Sequence, residues 1–398
     1  MLHILWTLLS LSLFADINVA NFQTARGVPT SLQEAKSIHF TRPDGIILKG
    51  FTLGAKNSNP VVLVPGYFSS AAYYGDVAAI LANNGMKPYA YSLAGQGQGE
   101  LRSGYSRQRQ DYPGQFSFDR HINDLIAFIE AVYQIHKKPV ILVGHSLGGL
   151  LVRAVSTGPD IKDGSHKISP QLRAKLQRMV AKGIVVNSPS PVISKLENFD
   201  LSLSLSEKWK IAKGQFIILN AIPVLAKLTD NPIFKEFRYR ASSLPLANLV
   251  TSIGLRAADF VLSDVVMSAD FHGSNVADSF STAASERLEK DTVNDLKRFI
   301  TEGFTTREGL DIATAYLNQN TAAKRFPITI ISGSKDILGL ERFNTVEASH
   351  LGYPHIINGM THMSGFFGAS APTLAEIILT EINPKKKWDL TQACQLVF

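Results

Sequence analysis

The sequence predicts an α/β protein, a mostly parallel central sheet with helices on both faces and an inserted, mainly helical cap. Three observations predict it. Short, fully apolar runs rich in β-branched residues alternate with longer stretches of helical periodicity, the pattern of parallel strands joined by crossover helices. One such run, Pro139 to Val143, passes directly into Gly144-His145-Ser146-Leu147-Gly148-Gly149 and then into a helical pattern. The alternation breaks between about residues 188 and 311 and resumes afterwards. A chain of 398 residues with 45% hydrophobic content can bury one large core and still carry an inserted lobe.

In order, Ser37 to Phe40 and Ile46 to Leu53 read as an antiparallel hairpin around Pro43-Asp44-Gly45. Asn59-Pro60 introduces the apolar strand Val61 to Val64, which runs into Pro65-Gly66-Tyr67-Phe68. Ala71 to Asn83 has helical spacing and stops at Asn84-Gly85, and Tyr89 to Leu93 is the next strand. Its loop, Ala94 to Glu100, has alternating glycines, but not in the Gly-x-Gly-x-x-Gly spacing of a nucleotide site. Phe118 to Lys137 places Ile122, Leu125, Ile126, Ile129 and Val132 on one helical stripe, and Lys138-Pro139 ends it. Leu150 to Ser156 reads as helix, Gly158 to Arg178 as a polar, basic stretch, and Gly183 to Val186 as a strand. Within 188–311 lie three apolar stretches, Gln215 to Ala226, Leu244 to Leu255 and Phe260 to Met267; their prolines and lengths argue against membrane spans. Arg307 to Asn318 is a helix, Phe326 to Ile331 and Tyr353 to Ile357 are the last strands, and Thr373 to Ile382 is the closing helix.

The chemistry gathers at Ser146. Gly144 and Gly148 carry no Cβ, so a strand end and a helix start can approach closely around the serine. Its hydroxyl is then lifted clear of the sheet at a helix N-terminus, where the Leu147 amide can stabilise an oxyanion. The segment Gly144 to Gly149 resembles the nucleophile elbow of the α/β-hydrolase superfamily, in the form common among its lipases and esterases. The resemblance covers about residues 36–187 and 312–382.

That resemblance implies the remaining site residues. The amide of Tyr67, with Phe68 as its neighbour, stands where the superfamily completes its oxyanion hole; Pro65 replaces the usual His of that loop. Ser92, Ala94 and Gln96 replace the Asp, Arg and His that often follow the next strand, which removes a structural ion pair. Asp336, just past a strand end in Ser332-Gly333-Ser334-Lys335, stands at the place of the triad acid. Glu341 is a second choice, and Asp311 precedes its strand by too far. His362 follows the last strand, 26 residues beyond Asp336 (362 − 336), giving the superfamily's chain order of Ser, Asp, His. Of ten histidines it alone follows a strand end at the sheet edge where ligands bind; His145 reads as a packed structural residue facing away from Ser146.

The expected function is serine hydrolysis of carboxylic esters through an acyl-enzyme. The apolar insertion tilts the substrate toward lipid-like or other hydrophobic acyl esters. The same triad could serve an acyltransferase, a thioesterase, a carbon–carbon bond hydrolase or a metal-free haloperoxidase, and a binding protein on this fold is the reading from another class. Expected domains are 1–20 as an export signal, 21–187 and 312–398 as the core, and 188–311 as the cap or lid.

Composition narrows the partners. The net charge of +7 is spread along the chain, which implies solubility and attraction to anionic surfaces such as a membrane. No zinc spacing, basic helix or RNA-type motif accompanies it, so nucleic acid is not expected, nor is a metal or cofactor. One cysteine, Cys394, permits no intrachain disulfide. Leu2 to Ala15 is a short apolar core that suits export to a secreted or periplasmic location, with a retained N-terminal anchor or an ordinary buried N-terminal helix as the alternatives.

Overall fold

The computed structural model describes residues 35–42, 45–67, 69–97, 101, 103–104, 116–162, 165–191, 195, 203–216, 219, 290–318, 325–349, 354–366, 370–386 and 388. The N-terminal export-signal reading, Cys394, Phe68 and the three apolar stretches of the expected cap, but for Gln215, Phe216 and Leu219, lie outside them. Among the described residues no helix is long and apolar enough to cross a membrane.

The strands are β1 (Lys36–Thr41), β2 (Ile47–Thr52), β3 (Asn59–Val64), β4 (Met86–Tyr91), β5 (Val140–His145), β6 (Pro159–Lys162), β7 (Ser165–Ile168), β8 (Val180–Val186), β9 (Ile328–Gly333) and β10 (His355–Ile357). The helices are α1 (Gly75–Asn83), α2 (Phe118–His136), α3 (Leu147–Ser156), α4 (Pro170–Met179), α5 (Leu205–Phe216), α6 (Lys290–Thr301), α7 (Ile312–Leu317), α8 (Glu341–Ser349) and α9 (Ala371–Ile382). Eight strands form one sheet in the order β1-β2-β4-β3-β5-β8-β9-β10. β1 and β2 are antiparallel to their neighbours, and the strands from β4 to β10 run parallel.

The apolar strands are buried on both faces, and their alternation divides two cores. Val62, Val64, Val140 and Leu142 face α2, α3, α4 and α7. Val61, Leu63, Ile141 and Val143 face α1, α9 and the Met360–Phe366 loop. α2 shows how the sequence writes one such layer. The Ser117 hydroxyl accepts from the Arg120 amide and caps the first turn; Lys137 at φ 54° closes the helix in the left-handed region. Its stripe of Ile122, Leu125, Ile129 and Val132 is buried, each side chain contributing about 1.5–3 kcal/mol.

Several segments differ from the sequence reading. Ala71 to Asn83 divides into a 3-10 turn, Ala71–Tyr74, capped by Ser70, and α1. The polar stretch from Gly158 contains the hairpin β6–β7 and then α4, which starts on a Ser169 cap with Pro170 at its first position. α8 follows the Asp336 loop, a helix that the sequence pattern does not predict. Of 188–311, the described part comprises mainly α5 and α6. A Cβ on Gly214 of α5 would meet the Ile337 carbonyl at 2.8 Å, so α5 sits directly on the Asp336 loop. α6 docks on the start of α2, where Asp295 accepts the Phe118 amide at 2.7 Å.

At the far edge of the sheet one carboxylate joins three strands. Glu381 of α9 accepts from Lys182 of β8, from Thr329 of β9 at 2.7 Å and from His355 of β10 at 2.8 Å. Burial raises its pKa, but these donors outweigh that and hold it at about 2.

Candidate active site

The chain order changes direction at β3, with β4 on one side and β5 on the other. That switch point opens a crevice beyond the carboxyl ends of the strands. Ser146 follows β5 there, Asp336 follows β9 and His362 follows β10.

Ser146 sits at φ 52°, ψ −119°, a conformation that non-glycine residues avoid and that the close packing around it enforces. A Cβ on Gly144 would lie 2.4 Å from the Gly148 carbonyl oxygen, and one on Gly148 would lie 2.1 Å from that of Val64. Only glycines allow β3, β5 and α3 to meet this closely. The Ser146 amide is bonded to the Val186 carbonyl of β8 at 3.1 Å, which ties the corner to the sheet. Leu147 opens α3, so its amide belongs to the first turn, where helical amides lack intrahelical acceptors and the helix dipole is positive.

The structure brings Ser146, His362 and Asp336 together. Ser146 Oγ lies 2.8 Å from His362 Nε2. His362 Nδ1 lies 3.0 Å from both oxygens of Asp336. The consistent protonation puts a proton on Nδ1, donated to the carboxylate, and leaves Nε2 to accept from the serine hydroxyl. Asp336 is buried and its Oδ1 also accepts from the Leu338 amide at 2.8 Å and the Gly339 amide at 3.0 Å. Ser146 is half-buried, so its hydroxyl remains within reach of a ligand. The other acids lie elsewhere: Glu341 opens α8, and Asp311 caps α7 and pairs with Lys195.

The loop after β3 passes over the serine. A Cβ on Gly66 would lie 3.1 Å from Ser146 Cβ. A closed hydrogen-bond ring fixes this loop. The Gly66 amide donates to Tyr74 Oη at 2.7 Å, Tyr74 Oη meets Ser69 Oγ at 3.4 Å, and Ser69 Oγ donates to the Gly66 carbonyl at 2.8 Å. Burial pushes the Tyr74 pKa up, so the phenol keeps its proton for Ser69. Gly66 spends its own amide on that ring, and the half-buried Tyr67 follows it directly.

Three side chains in this region were not singled out by sequence reasoning as site elements. His145 does not simply face away from the site: its ring centroid is 5.1 Å from that of His362, and its Nε2–H donates to the His362 carbonyl at 2.7 Å. Tyr73 Oη donates to the Met363 carbonyl at 2.6 Å. Asn187, just past β8, donates to the carbonyls of Thr361 at 2.7 Å and His362 at 3.2 Å. The signal for His145 was adjacency to the nucleophile; Tyr73 and Asn187 carry none that a single sequence displays. Among the described residues no group of acidic, histidine or cysteine side chains has the geometry to hold a metal ion.

Residues 55–197 match a family model described as Serine aminopeptidase, S33 (Hydrolase_4). No curated protein matches the chain significantly. A structure titled as a putative lipase from Acinetobacter baumannii AYE superposes with a TM-score of 0.54 at 14% identity, covering 93% of this chain and 98% of that one. A thermophilic esterase from Thermogutta terrifontis gives 0.51 at 12% identity, covering 88% and 98%. A thioesterase domain from the curacin biosynthetic pathway gives 0.50 at 16% identity, covering 87% and 99%. At such identities these likenesses show the shared fold. With its sheet order, its strained serine corner and these likenesses, the chain has the α/β-hydrolase fold, and its residues 55–197 are similar to the matched family.

Proposed function

We propose that the chain is a serine hydrolase that cleaves carboxylic esters through an acyl-enzyme, with Ser146 as nucleophile, His362 as general base and then acid, and Asp336 as the group that orients His362. The observation that carries this reading is the continuous line from Ser146 Oγ through the His362 imidazole to the Asp336 carboxylate, with contacts of 2.8 and 3.0 Å. A serine hydroxyl is a poor nucleophile at neutral pH and needs such a base. His362 Nε2 takes the hydroxyl proton as Oγ attacks the ester carbonyl, and the Asp336 carboxylate stabilises the resulting imidazolium. The amides of Leu147 and Tyr67 receive the oxyanion, each donor contributing about 2.7–4 kcal/mol to lowering the barrier. The imidazolium returns its proton to the departing alcohol, and water repeats the sequence to release the acid.

Hydrophobic acyl esters are the proposed substrates, supported by the apolar stretches within residues 188–311. The test is turnover of p-nitrophenyl esters from acetate to palmitate, beside a p-nitroanilide amide, by the wild-type chain and by Ser146→Ala. Serine-dependent turnover rising at medium or long chains supports the reading. A maximum at acetate discards the hydrophobic acyl preference, and faster amide than ester cleavage discards esterase as the main activity.

A further inference from the structure

We propose that Asn187 is a positioning residue that sets the register of His362 against Asp336; this rests on the serine-hydrolase reading above. β8 ends at Val186, and the Asn187 amide continues the ladder by donating to the Ile331 carbonyl at 2.9 Å. The backbone then turns into the left-handed region at φ 46°, where asparagine is one of the few residues with a side chain that sits readily. The turn sends the carboxamide away from the core of the sheet and between two loops. Its Oδ1 accepts the Gly333 amide at 2.7 Å, at the end of β9 and three residues before Asp336. Its Nδ2 donates to Thr361 and His362. One planar, fully buried amide therefore bonds the main chain of the acid-bearing loop and that of the histidine-bearing loop. The Asp336 loop also rests on it from the other side, since a Cβ on Gly339 would lie 2.8 Å from the Asn187 carbonyl carbon.

The partners define which way the amide faces. Flipping it would set Nδ2 against the Gly333 N–H and Oδ1 against two carbonyl oxygens, so the orientation is fixed by complementarity. His145 and Tyr73 complete the grip. The successive carbonyls of residues 361, 362 and 363 accept from Asn187, from Asn187 and His145, and from Tyr73, side chains carried by three different elements. The His362 ring must satisfy Ser146 and Asp336 at once, and it has little freedom to recover if its backbone moves. A displacement of about 1 Å in a catalytic group costs on the order of 10²-fold in rate. Asn187 is buried and touches no substrate, so the cost falls on kcat and leaves KM in place.

Two substitutions separate this role from plain packing. Asn187→Gly accepts φ 46° without strain and removes only the carboxamide. Asn187→Asp keeps the shape and the acceptor for Gly333, but turns an oxygen toward the two carbonyls. Full-length wild type and both variants are compared in their rate of inactivation by a fluorophosphonate, kcat and KM on a p-nitrophenyl ester, melting temperature, and the low-field proton resonance of the His362 Nδ1–H. The expected result is that the glycine variant loses on the order of 10²-fold in both kcat and inactivation rate, at unchanged KM and well below its melting temperature. The aspartate variant does no better at neutral pH, and the low-field resonance shifts or disappears in both. If the glycine variant does not fold, the aspartate variant carries the test. Wild-type rates in either folded variant, or an unmoved low-field resonance, overturn the role of Asn187 while leaving the serine-hydrolase reading intact. A wild-type chain that the probe does not label overturns that reading itself, and this role with it.

Discussion

The imidazole of His145 donates its Nε2–H to the main-chain oxygen of His362 at 2.7 Å, so the residue next to Ser146 holds the backbone of the histidine that faces it. With Nε2 carrying the proton, Nδ1 is a bare acceptor, buried and without a hydrogen-bond partner among the described residues. That arrangement suits only a neutral ring. Burial, and then the neighbouring His362, hold the His145 pKa well below the usual histidine range.

The consequence for stability has a definite sign. Below about pH 6.5 the unfolded chain protonates His145 and the folded chain does not. The stabilisation is therefore present above about pH 6.5 and is lost as pH falls toward the depressed folded value, by at most about 1.4 kcal/mol per pH unit. His145→Gln keeps an amide donor but cannot titrate. Urea unfolding at pH 8 and pH 5.5 should show a smaller acid loss in that variant than in the wild type; equal losses would remove His145 from the account.

The glycines of the serine corner predict a contrast. Gly148→Ala would place a methyl 2.1 Å from the Val64 carbonyl oxygen, a backbone atom that can yield only by shifting β3 away from α3. Esterase activity should be lost with at most traces remaining, whether or not the chain still folds. Gly85→Ala is the control, at φ +83° in the turn before β4 with nothing within 4 Å of the added carbon. It should cost about 1–2 kcal/mol of left-handed strain and leave kcat unchanged. Melting curves and ester turnover on both variants check the pair.

How much could be read from the sequence follows how local each signal is. The corner at Ser146 was legible because its glycines, its strand and its helix are contiguous. The two-faced parallel sheet was legible because fully apolar strands and a 3.6-residue stripe leave different periodicities. The β6–β7 hairpin escaped because strands of four residues are too short to show alternation. α8 escaped because Glu341 to Ser349 mixes polar residues around the helix without a long apolar stripe. Asn187 escaped for another reason: its partners lie 146, 174 and 175 residues away, and nothing in Val186-Asn187-Ser188 tells a clasp from a loop asparagine.

Asp336→Asn tests the orientation of His362. An amide at this position can still offer its oxygen to the Leu338 and Gly339 amides, which now bond Oδ1. Its nitrogen then faces His362 Nδ1 and donates to it, so the ring's proton is forced onto Nε2, where it blocks acceptance from Ser146. The geometry survives and the tautomer does not. kcat on a p-nitrophenyl ester should fall by about 10⁴-fold with an unchanged melting temperature. A fall below tenfold would mean that Asp336 is not the orienting group.

Arg153 predicts a paired effect on stability. This fully buried arginine of α3 meets the buried Glu347 of α8 through two parallel bonds of 2.7 and 2.8 Å. Tyr316 of α7 donates to the same carboxylate at 2.7 Å, and Arg153 Nη1 also donates to Ser188 Oγ at 2.7 Å. The pair joins the helix behind Ser146 to the helix behind the Asp336 loop. Removing one partner leaves a buried charge without its counter-ion, which typically costs about 3–5 kcal/mol. Arg153→Met and Glu347→Leu should each destabilise the chain by that order in urea unfolding. The double variant should recover most of the loss, because a buried ion pair contributes little net stability over apolar groups of similar volume. Recovery will be incomplete, since Tyr316 and Ser188 keep hydroxyls that the apolar pair cannot satisfy. Additive losses in the double variant would mean that the two residues act separately, through packing and not through their charges.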